Sequence, residues 1–122
     1  MFSVNIKSCS KELSPKERVL IKDTTPANKL DAIVDENGID IYVDFFAVLN
    51  VHNDKADPVD YENYVIVATD GNVYVTGSSS FWNAFTGISD EMSGYDEEWG
   101  IHVYKRDSKN YSGKKFITCK II

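Results

Sequence analysis

The clearest pattern of apolar and polar positions runs from Ile39 to Val51, a long β-prone stretch rich in Ile, Val, Tyr and Phe. It is long enough to curve around a barrel as one strand. Tyr64–Thr69 and Val73–Thr76 are two further strands. They flank Asp70-Gly71-Asn72, which is hairpin chemistry because glycine accepts positive φ. Then the period changes. Phe81, Trp82, Phe85, Ile88 and Met92 recur at helical spacing, Ser78, Ser79 and Ser80 supply capping oxygens, and Gly94 suits the helix end. Trp99–Arg106 and Lys114–Ile122 read as a last pair of strands, joined by Asp107–Gly113.

The first 38 residues are less regular. Phe2–Ser8 reads as an edge strand or arm, Lys11–Lys16 as a polar turn and Arg18–Lys22 as a short strand closed by Pro26. Leu30–Val34 reads as another short strand, ended by the turn Asp35-Glu36-Asn37-Gly38.

From Ile39 onward the order is strand, strand, strand, helix, strand, strand. The expected fold is therefore mainly β within an α+β class. It is an OB-like five-stranded barrel with one helix between its third and fourth strands, plus extra N-terminal strands. The expected organisation is a single domain over residues 1–122, with 1–38 as N-terminal strands or arm and 39–122 as the barrel. In that architecture ligands lie on the face of strands two and three and at two loops, here His52–Glu62 and Asp107–Gly113.

Composition limits the alternatives. A hydrophobic content of 43% is enough for a packed core. No apolar run reaches the roughly 18–20 residues that span a bilayer, so no membrane association is expected. The stretch from Met1 to Lys7 has no charged leader followed by an apolar block, which leads to a cytoplasmic expectation. Cys9 and Cys119 lack metal or redox spacing and read as reduced thiols, adjacent only if the first and last strands pair.

Charge changes the picture more. The formal net charge is −6, but it is segregated. Residues 31–100 carry fifteen acids and one base, Lys55, whereas residues 101–122 carry six bases and one acid, Asp107. Binding follows the local field rather than the mean. Alternation puts Trp99, Ile101, Val103, Ile117, Cys119 and Ile121 on one face of the final hairpin. His102, Tyr104, Arg106, Phe116, Thr118 and Lys120 fall on the other, and Lys109, Tyr111, Lys114 and Lys115 continue that character around the loop.

Cations for phosphate and rings for bases are what a single-stranded nucleic-acid site needs. The nucleic-acid-binding candidates are Tyr104, Arg106, Lys109, Tyr111, Lys114, Lys115, Phe116 and Lys120. The plain alternative is a solvated surface whose lysines keep edge strands from aggregating.

Other candidates reduce to structure. Trp82, Phe85 and Trp99 suit core packing. His52 and His102 have no partner at ligand spacing, so no metal site is expected. Asp54, Asp57, Asp60 and Glu62 lack the spacing of a calcium loop. No phosphate cradle, HExxH or nucleophile motif is present, so neither cofactor nor enzymatic activity is expected.

Three stretches together carry a resemblance: Phe81-Trp82-Asn83-Ala84-Phe85, Glu97-Glu98-Trp99-Gly100-Ile101, and Ser108 through Cys119. A weaker likeness continues upstream through Lys29-Leu30-Asp31 and Phe46–His52. They resemble small proteins encoded in the replication regions of phages and prophages of Gram-positive bacteria, often described as single-stranded-DNA-binding proteins. The resemblance implies a phage protein that coats single-stranded DNA during replication or recombination in the cytoplasm of the infected host. It points to Lys109, Tyr111, Lys114, Lys115 and Phe116 by position. Many bacterial single-strand binders carry an acidic tail that recruits partners, whereas the last residues here are Cys119-Lys120-Ile121-Ile122. The sequence leaves open a homodimer and contacts with replication or defence proteins. It also leaves open the rival reading, an acidic phage protein that inhibits a host nucleic-acid enzyme or defence system.

Overall fold

The computed structural model describes residues 2–107 and 115–122. Ten elements follow in order: β1 (Phe2–Cys9), α1 (Pro15–Lys22), β2 (Asn28–Lys29), α2 (Leu30–Ile33), β3 (Ile39–Asn53), β4 (Asp60–Ala68), β5 (Val73–Thr76), α3 (Ser79–Glu91), β6 (Gly100–Asp107) and β7 (Lys115–Ile121). The fold is mainly β, a sheet curled into a half-barrel.

The 15-residue β3 organises the sheet. Its first four residues pair antiparallel with β6, from Ile39 opposite Val103 to Tyr42 opposite Gly100. The rest pairs with β4 on one edge and with β1 on the other. The strand order is β2-β5-β4-β3-β6-β7, with β1 beside β3. Among the described residues β5 and β7 do not pair, so the sheet is a half-barrel rather than the OB-like five-stranded barrel expected from the sequence.

Two N-terminal assignments change. Arg18–Lys22, expected as a strand, belongs to helix α1. Ser14 Oγ accepts from the Glu17 N–H at 3.2 Å, and Glu17 Oε1 accepts from the Ser14 N–H at 3.0 Å. This capping box with proline at the first helical position starts a helix against the β propensity of Val19 and Ile21. Leu30–Val34, also expected as a strand, holds the single turn α2 (Leu30–Ile33), closed by Val34 N–H to Leu30 O at 3.1 Å. Four-residue spacing brings Leu30 and Val34 together in the core, each 1% exposed.

A bulge between Val43 and Phe45 separates two cores. Before it, Ile41 and Val43 face the first core; after it, Phe46 and Val48 take over that side. Phe45, Ala47 and Leu49 then point to the opposite side, under Leu13 and Ile21. The first core is closed by α3, whose N-cap Ser78 accepts from the Phe81 N–H at 3.2 Å. Phe81 and Phe85 are fully buried, each worth roughly 1.5–3 kcal/mol of transfer energy. Trp82 stacks on Tyr64 at 4.8 Å and on Phe85 at 4.9 Å, and Trp99 lies 6.1 Å from Phe85. Both tryptophans therefore serve the core.

The two cysteines are free and belong to different cores, Cys9 beside the second and Cys119 within the first. Their adjacency is not realised, because β1 pairs with β3 and β7 with β6.

Candidate nucleic-acid interface

The β6–β7 hairpin sorts its side chains by alternation. Ile101, Val103, Ile117 and Cys119 are buried against α3 and β3. Ile121 departs from the expected apolar face at 47% exposure, because it sits at the sheet end beside Ala84, Ile88 and Met92. The other face carries His102, Tyr104, Arg106, Phe116, Thr118 and Lys120, all half-buried or exposed. Register places Arg106 opposite Phe116, Tyr104 opposite Thr118 and His102 opposite Lys120. Lys115 is exposed and lies opposite Asp107 at the open end. Lys109, Tyr111 and Lys114 lie outside the described residues.

Within this face the side chains touch. The His102 and Tyr104 rings are near-parallel, 18° apart in plane and 5.8 Å between centroids. Lys120 Nζ lies 5.6 Å from the centre of the Tyr104 ring, a cation–π distance. His102 Nδ1 donates to Asp40 Oδ1 at 2.7 Å, which ties β6 to β3. One acid, Asp40, thus enters the face that the charge count had made basic.

This face is open because the N-terminal segment covers another one. Leu13 and α1 pack across Phe45, Ala47, Val65 and Val75, on the outer side of β3, β4 and β5. That outer side of the second and third core strands was expected to take ligand; Val65 there is fully buried. Covering leaves a groove of about 480 Å³ lined by Leu20, Ile21, Pro26, Ala27, Phe45 and Val73 among others. It is mostly apolar, and its charged lining residues are the carboxylates Glu17 and Asp23, so it is unsuited to phosphate.

The loop between β3 and β4 is narrower than expected, residues 54–59, because both strands extend. His52 Nδ1 lies 2.6 Å from Asp60 Oδ1 and His52 Nε2 lies 2.7 Å from Asp54 Oδ1. Both nitrogens face carboxylates, an arrangement satisfied on both sides only by the protonated ring. The hydrogen bonds to Asp60 and then Asp54 hold the His52 pKa above its usual value. Among the described residues no group of three or more His, Cys, Asp or Glu side chains is arranged to hold a metal ion. Cys119 is buried, which pushes its thiol up to about 12 and leaves it no nucleophile.

The sequence reading missed Tyr42 and Asp40 as neighbours of the hairpin face. Alternation within β3 carries the signal, since Asp40 and Tyr42 are out of phase with Ile39, Ile41 and Val43. Among the described residues no helix is long and apolar enough to cross a membrane. Compared with protein-family models, with curated proteins and with solved structures, the chain matches none of them.

Proposed function

We propose that this protein binds single-stranded DNA, without enzymatic activity, on the outer face of β6 and β7. The observation that carries the reading is the register of that face: Tyr104, Arg106, Phe116 and Lys120 lie together over a dry backing of Ile101, Val103 and Ile117, with Lys115 exposed at the open hairpin end opposite Asp107. Rings at that surface stack bases with no hydrogen-bond code, and the cations hold phosphate. Strand order supports an OB-like frame: β3 pairs with both β4 and β6, and α3 falls between β5 and β6. In this reading β3–β7 are the OB strands, the half-barrel is left open between β5 and β7, and β1, α1, β2 and α2 are additions. The resemblance to replication-region phage proteins gives the setting, coating of single strands in the infected cell.

Fluorescence anisotropy of labelled 30-mers, single-stranded beside duplex, at two salt concentrations tests it. Tighter binding to the single strand that weakens with salt is expected. Equal or absent binding at low salt defeats the reading.

A second reading rests on a different observation. Of the fifteen acids in residues 31–100, all but Glu62 are exposed, a surface able to imitate a phosphate backbone and block a host nucleic-acid enzyme. Recovery of a stoichiometric protein partner from nuclease-treated host lysate, together with no DNA binding, would favour it.

A further inference from the structure

We infer that the single-strand site continues from the hairpin onto β3, with Tyr42 and His102 stacking bases beyond Tyr104; this rests on the DNA-binding reading above. Two glycines build the extension. Gly100 lies opposite Tyr42, and a Cβ placed there would stand 2.8 Å from Tyr42 Cδ1 and 3.1 Å from Cε1. The tyrosine ring therefore lies against bare backbone and leans toward β6, still 44% exposed. A Cβ on Gly38 would stand 2.7 Å from both Cε1 and Nε2 of His102. The imidazole occupies that space, with Nδ1 bound to Asp40 and its plane within 18° of Tyr104.

Tyr42, His102, Tyr104 and Phe116 then mark four successive levels along β6, at residues 100, 102, 104 and 106. At a rise of about 3.4 Å per residue the track is roughly 20 Å long. Its charge is polar along that length. Arg106 and Lys115 stand at the hairpin end, Lys120 and Asp40 flank His102 in the middle, and the turn acids Asp35 and Glu36 precede β3 on the hairpin side. The exposed acids Asp96, Glu97 and Glu98, just before β6, close the Tyr42 end. Phosphate is favoured at one end and repelled past the other, so the ligand that fits is a short single strand anchored by charge at the hairpin and by stacking toward Tyr42. Stacking needs a ring face, whereas the Asp40 bond uses a ring edge, so it holds His102 in place without consuming its face.

Crosslinking of the wild-type protein to a 5-iodouracil-substituted single-stranded oligonucleotide, read by mass spectrometry, is the direct test. Crosslinks at Tyr42 or His102 in addition to Tyr104 are expected. In parallel, Tyr42→Ala should weaken anisotropy-measured binding by about tenfold and Tyr42→Phe should leave it near wild type, because the ring and not the hydroxyl acts. Circular dichroism establishes that each variant is folded. If Arg106→Glu with Lys115→Glu abolishes binding while crosslinks avoid Tyr42 and His102, the hairpin site stands and the extension is overturned. If the wild-type protein binds no single strand at all, both fall.

Discussion

Lys120 Nζ sits 5.6 Å from the centre of the Tyr104 ring, so the cation and the aromatic surface proposed for DNA are already joined in the free protein. A lysine held over a ring has fewer rotamers to lose when phosphate arrives, which lowers the ordering cost of binding. Lys120→Gln is therefore expected to weaken single-strand affinity and to reduce the slope of log K against log salt by about 0.7, one phosphate contact. Arg106→Gln and Lys115→Gln should each do the same. A slope unchanged in all three would remove the hairpin as the phosphate site.

The pair of carboxylates around His52 makes stability depend on pH. Asp60 first, and then Asp54, raise the imidazole pKa in the folded protein. A raised value means that the folded chain holds the proton more tightly than the unfolded one. The contribution is complete below the unfolded value, about 6.5, and is lost as pH rises through the higher folded value. Thermal melts from pH 5.5 to 8.5 should show wild type losing more stability than His52→Gln across that rise. Parallel profiles would show that the cluster contributes nothing.

Phe85 is fully buried and meets Phe46, Phe81, Trp82 and Trp99. Phe85→Ala leaves a cavity among rings that cannot all collapse into it, at a cost of about 3–5 kcal/mol. In urea the unfolding midpoint should fall by about 2 M. A shift of less than about 0.5 M would mean that this cluster is looser than its distances indicate.

Gly38 has φ +72°, and a Cβ there would stand 2.5 Å from the Val103 carbonyl oxygen as well as against His102. Gly38→Ala should destabilise by about 1–3 kcal/mol, measured by denaturation. The same variant displaces His102, so a change in the His102 ring signals by NMR should accompany the loss.

Burial raises the Cys119 thiol to about 12. Ellman's reagent at pH 8 is expected to leave it unmodified until denaturant is added. Rapid modification of Cys119, as distinct from the less buried Cys9, in the native protein would place β7 closer to solvent than its packing against α3 indicates.

Much of the candidate site's layout was legible because strand alternation has a period of two and needs no tertiary information. Val103 and Cys119 fall inward, and Tyr104 and Lys120 outward, as their positions required. Ser14-Pro15-Lys16-Glu17 also carried a readable helix start, although the β-branched Val19 and Ile21 pulled the reading toward a strand. The bulge at Asp44 is different. It adds one residue to β3 and exchanges which side chains face which core, and a local pattern cannot distinguish that from a continuous strand buried on both sides.

The sequence by itself determined the β-rich order from Ile39, the helix at Ser79–Glu91 and the two faces of the final hairpin. Each follows from local periodicity, capping groups and turn residues. Only the tertiary structure decided that α1 lies over the outer side of β4 and β5 while the outer side of β6 stays open, and that Asp40 and Tyr42 join His102 there. Those relations link residues up to 62 apart. They depend on which apolar surfaces exclude water against each other, a choice made by the whole chain rather than by any one segment.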